Sequence, residues 1–194
     1  LPVVFQPELR RALEQLGRGS FFSPRMMDRT ADIERHVEEV IAAVEELSRY
    51  RIGALIVWRR ETGIDDYSEI GIDIDAAISS ELLISIFTPN TPLHDGAVII
   101  SRGRIHRAGA FLPLSDNPNL EKSLGTRHRA AVGISEVSDA LAIVVSEETG
   151  RVGLAKDGVL TRSIDSGALK GILLRELRDQ YPRKQTIWRK REVR

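Results

Sequence analysis

The sequence predicts an α/β fold, a single domain with one central mixed β-sheet flanked by helices. Three observations lead there. The stretch from Thr30 to Tyr50 repeats apolar residues at helical spacing, compact runs such as Gly53 to Trp58 and Leu141 to Val145 read as buried strands, and the segments on either side of Arg102-Gly103 read as a hairpin. Strands and helices alternate irregularly, with hairpins among them, which favours a mixed sheet over a strictly doubly wound one.

Pro7 to Leu16 carries Leu9, Leu13 and Leu16 on one helical face, with Gly17 and Gly19 as stop signals. From Thr30 to Tyr50, Ile33, Val37, Val40, Ile41, Val44 and Leu47 form one stripe, and the glutamates lie mostly off it. Gly53 to Trp58 is rich in strand formers and stops at Arg59-Arg60-Glu61. A helix capped by Ser79 or Ser80 runs to Phe87, ahead of a loop stiffened by Pro89 and Pro92. Ala97 to Ser101 and Arg104 to Phe111 pair about the Arg102-Gly103 turn. A polar loop, Ser115 to Ser123, leads to Gly125 and a helix through Ile134, followed by the strand Leu141 to Val145. Turns at Thr149-Gly150 and Asp157-Gly158 divide two short strands before a last amphipathic helix, Ser166 to Arg178. The domain reading is an N-terminal helix and linker over 1–29, a main α/β domain over 30–180 and a basic tail over 181–194.

Composition narrows the function. Lys plus Arg and Asp plus Glu both total 28, so no bulk charge draws the chain to nucleic acid, and none is expected as a partner; attraction to an anionic ligand must come from local placement. Cysteine is absent, which excludes disulfides and thiolate metal sites and fits a reducing compartment. No apolar run reaches the roughly 20 residues that cross a bilayer, so a soluble fragment is expected. The chain opens on Leu1 rather than methionine, and an upstream segment with membrane helices is an expectation.

Three segments can carry chemistry. In Leu93-His94-Asp95-Gly96-Ala97 an acid precedes two small residues at the mouth of a strand; the carboxylate can take a proton or hold a divalent cation, while Asp-Gly is equally an ordinary turn pair. Gly125-Thr126-Arg127-His128-Arg129 enters a helix, where backbone N–H groups, a hydroxyl and two guanidinium groups suit phosphate; the alternative is a solvated helix start. Ser146-Glu147-Glu148 ends a strand with a hydroxyl and two carboxylates, a place for site residues in open sheets and also the start of a polar hairpin turn. His36 and His106 have no partner at ligand spacing and read as structural. Carboxylates with a phosphate cluster suit phosphoryl or nucleotidyl transfer. No Walker glycine loop, kinase signature or Rossmann fingerprint occurs.

Asp95-Gly96-Ala97 followed by Gly125-Thr126-Arg127-His128-Arg129-Ala130-Ala131 resembles the paired motif of the DAC (diadenylate cyclase) domain. The likeness extends through Thr91 to Ile100, Ala110 to Ser115, Gly133 to Glu136 and Val144 to Gly150, and the opening helix and the wording around the motifs resemble the membrane-anchored, CdaA-type branch. That resemblance implies an enzyme that joins two ATP into cyclic di-AMP on the cytoplasmic side of a bacterial membrane, with Mn²⁺ or Mg²⁺ as cofactor. It implies a catalytic homodimer and leaves room for a membrane-associated regulatory protein. By the same resemblance Asp95 positions or deprotonates the attacking 3′-hydroxyl, and Arg127, His128 and Arg129 join it as catalytic groups. Thr126 and Ser146 help hold phosphates, with Gly125, Gly96 and Ala97 close to the nucleotide. Asp95, His94 and Glu148 form the metal set, and Phe111 with Leu112 lines the adenine pocket. Many relatives carry tyrosine where Phe111 stands. Two rival readings are a nucleotide sensor without turnover, against which the retained Asp95 and Arg127-His128-Arg129 argue, and an oligomerisation domain using the long helix as interface.

Overall fold

The computed structural model describes residues 29–64, 67, 71–118, 120, 121 and 124–178. The helix expected over Pro7 to Leu16, the tail over 181–194 and the domain boundary at 180 lie outside the described residues, while the expected boundary at 29 falls at the start of a described helix. Among the described residues four helices and seven strands follow in the order α1 (Arg29–Arg49), β1 (Ala54–Trp58), β2 (Ile72–Ala77), α2 (Ser80–Phe87), β3 (Ala97–Ser101), β4 (Arg104–Ala110), α3 (Thr126–Val137), β5 (Leu141–Val145), β6 (Val152–Lys156), β7 (Val159–Arg162) and α4 (Ser166–Arg178). The expected α/β fold is the one observed.

The strands form a single sheet ordered β2-β4-β3-β1-β5-β6-β7. Only β1 and β3 pair in parallel, and every other pair is antiparallel. Both faces of the central strands are covered, which is why their sequences are continuously apolar rather than alternating. Successive side chains still point to opposite faces: Ala54, Ile56 and Trp58 of β1 join the layer under α1, α2 and α4, whereas Leu55 and Val57 join the layer under α3. The α1 stripe is spent on this core. Val37, Val40 and Leu47 are fully buried, and α1 packs on α2 and α4, so the apolar face that an oligomer contact would need is already covered within the chain.

Local chemistry sets several element ends. Ser79 caps α2 by accepting from the Leu82 N–H at 3.2 Å, and Glu39 of α1 accepts from the Ser80 N–H at 2.8 Å, tying the two helices together. Arg102 (φ 52°) and Gly103 (φ 73°) both take the left-handed conformation of a tight hairpin turn, and His36 lies over it, within 2.9 Å of where a Gly103 Cβ would stand.

Strand β2 has no counterpart in the sequence reading. Asp73 and Asp75 are poor strand formers, and the segment becomes a strand because β4 faces it with arginines: Arg107 pairs with Asp73 at 2.9 Å and Arg104 with Asp75 at 2.5 Å. A bulge between Asp73 and Ala76, with Asp75 at φ 46°, breaks the register of this edge.

Candidate active site

Strand direction brings the three chemical segments to one edge of the sheet. Because β1 and β3 run parallel and β5 runs against β1, the start of β3 (Asp95, Gly96), the start of β1 (Gly53) and the end of β5 (Ser146) share that edge. The end of β4 (Phe111), the start of β6 and the end of β7 (Arg162) lie there too, by the antiparallel registers Ala97↔Ala110, Val145↔Val152 and Gly153↔Arg162.

A cleft of about 200 Å³ opens at this edge, lined by Gly125, Thr126, Arg127 and His128 of the α3 start and by Ser146, Glu147 and Glu148 after β5. Pockets that enclose a small ligand run to roughly 300–1,000 Å³, so this one is too small to enclose a ligand of that size by itself. The α3 N-cap is Gly125, which supplies no side-chain cap, and the first turn holds no acid. The leading N–H groups of α3 therefore face the cleft without a capping oxygen.

Arg127 joins the segments. Its Nη1 donates to Glu147 Oε2 at 2.8 Å and its Nη2 to the His94 carbonyl at 3.4 Å, while Nε is buried without a partner among the described residues. The Arg127–Glu147 pair passes directly over Gly53, where a Cβ would come within 2.6 Å of Nη1 and 2.8 Å of Oε2. A glycine is needed there for close approach rather than for backbone freedom.

The Asp95 loop is set by backbone packing. Gly96 has φ +109°, and a Cβ on it would stand 2.8 Å from the Gly109 carbonyl carbon and 2.9 Å from the Ala110 oxygen. Asp95 itself is exposed and its carboxylate has no hydrogen-bond or ion-pair partner among the described residues. His94 Nδ1 lies 2.6 Å from the Thr91 carbonyl and must carry the proton to donate there, which leaves the Nε2 lone pair available as a ligand. Ala97 is fully buried, so its part is to be small beneath the loop.

Arg129 is placed differently from its two neighbours. Its guanidinium grips the Ser115 carbonyl at 2.9 and 3.3 Å, and the Ser115 N–H donates to the Arg129 carbonyl at 3.0 Å, so this arginine braces the segment that carries Phe111 and Leu112. It does not line the cleft. Ser146 is both site and turn: it borders the cleft and its Oγ accepts from the Thr149 N–H at 3.2 Å.

Among the described residues no three His, Asp or Glu side chains gather as a metal cage. Asp95 and His94 on one loop and Glu148 on another offer few donors. A divalent cation held by these few donors would take most of its shell from phosphate and water.

A family model described as DisA bacterial checkpoint controller nucleotide-binding (DAC) matches residues 41–160. The chain is also 55% identical over 192 residues to a diadenylate cyclase of Listeria monocytogenes, an alignment that covers 97% of this chain and 69% of that protein. The chain belongs to the DAC-domain diadenylate cyclases. This DAC chain is 54% identical over 176 residues to the cyclic di-AMP synthase CdaA of Bacillus subtilis, covering 91% of the chain and 64% of that relative. The crystal structure of a double mutant of DacA from Staphylococcus aureus shares its fold with TM-score 0.73 at 53% identity, over 75% of this chain and 97% of that one. The DAC chain thus spans about two thirds of the length of the curated relatives it matches. No helix among the described residues is long and apolar enough to cross a membrane.

The DAC cleft holds two cations that the linear sequence did not mark, Arg151 and Arg162. They reach it only through the β5-β6-β7 meander. His128 also lines the cleft, half-buried, and its imidazole is held below the ordinary histidine value, first by burial and then by the charge of Arg162, with Glu148 opposing. His36 is lowered as well, by burial first and by Arg35 next. Both rings bind protons more weakly folded than unfolded, so the stability present above about pH 6.5 is lost as pH falls below it. Melting temperature is expected to drop between pH 7.5 and 5.5, and less steeply in a His36→Gln variant. A melting temperature that holds or rises on acidification would contradict this.

Phe111 is 56% exposed, so its ring is not packed in the core. Phe111→Tyr is expected to change stability by no more than about 0.5 kcal/mol, since the hydroxyl meets solvent. Phe111→Ala should weaken ATP binding roughly two- to tenfold if the ring packs on adenine. Unchanged affinity in the alanine variant, read by calorimetry, would remove Phe111 from the nucleotide site.

Proposed function

We propose that this DAC chain condenses two ATP into cyclic di-AMP by attack of each 3′-hydroxyl on the other nucleotide's α-phosphate, across a face-to-face pair of subunits. The carrying observation is Arg127, which touches both the Asp95 loop and the Ser146-Glu147-Glu148 turn while standing at the uncapped start of α3.

Each half-reaction forms one bond from a 3′-oxygen to an α-phosphorus and breaks the bond from that phosphorus to the β-phosphate bridge, releasing pyrophosphate. Asp95, exposed and without a partner among the described residues, accepts or orients the hydroxyl proton. The N–H groups at the start of α3, Thr126, Arg127 and Ser146 stabilise charge on the phosphate oxygens. When bound, Mn²⁺ or Mg²⁺ would supply charge neutralisation at the phosphates, and Asp95, His94 and Glu148 are the residues to hold it. Phe111 and Leu112 pack against adenine. The open, half-sized cleft suits a site that a second subunit completes, and a C2 pair places two such clefts opposite each other. Resemblance to the membrane-anchored branch supports a tethered protein in the cell, where the tether raises the local concentration of the partner.

The test is to incubate the chain with ATP and Mn²⁺, separate the nucleotides by chromatography and repeat across a dilution series. Cyclic di-AMP is the expected product, with specific activity rising with enzyme concentration and levelling off as dimerisation saturates. No product would overturn the activity. A flat specific activity across dilutions that light scattering shows to span monomer and dimer would overturn the face-to-face arrangement.

A further inference from the structure

The cleft has two walls of different origin. One is the start of α3 with Thr126, Arg127 and His128; the other is formed by Arg151 at the start of β6 and by Arg162 and Ser163 at the end of β7. Arg127 stands at the end near Asp95, as its contact to the His94 carbonyl shows, and it is already engaged by Glu147. Arg162 stands on the β7 side and pairs with Glu121 at 2.6 Å. Both members of that pair are well exposed, at 42% and 62% of their side-chain surface, so water competes for the contact and the pair is weak.

We propose that Arg162 binds the terminal phosphates of the substrate nucleotide and that Glu121 holds this arginine in their absence, an inference that rests on the assignment of the cleft to ATP. The reacting α-phosphate belongs near Arg127, where the Asp95 loop meets α3, so the tail of the triphosphate runs along the cleft toward β7. A triphosphate brings several negative charges to a cleft that also contains Glu147 and Glu148. The guanidinium groups that line the cleft share in balancing them. Arg127 is committed at its own end, and Arg162 offers a planar fork that matches two phosphate oxygens better than it matches one exposed carboxylate. Exchange of Glu121 for phosphate makes the cleft read the length of the phosphate chain. It also places a positive charge on the pyrophosphate as that group leaves, and returns Arg162 to Glu121 once it has gone.

Calorimetric titration with 3′-deoxyadenosine 5′-triphosphate, which lacks the attacking hydroxyl, and with adenosine 5′-monophosphate tests this on the whole chain. Arg162→Gln is expected to weaken the triphosphate about tenfold or more, the scale of a lost charge-assisted contact, and to leave the monophosphate nearly unchanged. Arg162→Lys should fall between, since it keeps the charge without the fork. Glu121→Gln should tighten the triphosphate alone, because the competing carboxylate is gone. Equal losses for both nucleotides in Arg162→Gln, or no loss for either, would overturn the inference. If wild type makes cyclic di-AMP and Arg162→Gln still holds the triphosphate normally, this inference fails alone; if wild type binds neither nucleotide, the ATP assignment falls with it.

Discussion

Asp95→Asn is expected to lower cyclic di-AMP formation by at least about a hundredfold while ATP affinity stays close to wild type. Asparagine keeps the size of the side chain and removes its charge and most of its basicity. The loop should not move, because its position is fixed by Gly96 lying against the Gly109-Ala110 backbone and not by any bond of the carboxylate. Asp95 has no partner among the described residues to lose, so the melting temperature should hold too. Binding survives through the α3 start and Arg127, which the substitution leaves intact. Mixed in excess with wild type, the variant should also poison activity, since most wild-type subunits would then sit in pairs able to complete at most one of the two bonds. Near-normal turnover by Asp95→Asn would end the role given to that carboxylate, and retained activity in the mixture would speak against shared sites.

Gly133→Ala should destabilise the fold by about 3 kcal/mol, or roughly 6–12 °C in melting temperature for a chain of this size. The sign is the informative part. In an ordinary helix interior alanine is better than glycine by up to about 1 kcal/mol. Here a Cβ would stand 2.1 Å from the Pro113 carbonyl oxygen and 2.8 Å from the Ser115 nitrogen, both backbone atoms that cannot swing aside. The segment it would strike is tightly held: Ser115 is 1% exposed, its Oγ donates to Glu136 at 2.7 Å, and Arg129 grips its carbonyl. Either α3 or the Phe111 to Ser115 segment must shift, and activity should fall with stability because α3 also carries Arg127 and His128. Thermal unfolding of the purified variant decides it, and a melting temperature equal to or above wild type would show that the contact yields.

The sequence by itself determined whatever depends on neighbours along the chain. The α1 stripe, a serine cap at 79 or 80, the turn at Arg102-Gly103 and the doubly buried strands β1, β3 and β5 each leave a local mark, because helical spacing, capping chemistry and turn geometry restrict which residues can stand there. The three chemical segments were legible for the same reason, each being a short run of site-forming types at the end of an element. Only the tertiary structure decided how they meet. The parallel pairing of β1 with β3 puts Asp95 and Ser146 at one edge, and the glycine at 53 admits the Arg127–Glu147 pair between them. It also made a strand of the Asp-rich β2 by setting it against Arg104 and Arg107, turned Arg129 toward Ser115, and carried Arg162 into the cleft beside Glu121. These contacts join residues far apart in the chain, and their energies depend on strand order and register, which no local pattern of residue types encodes.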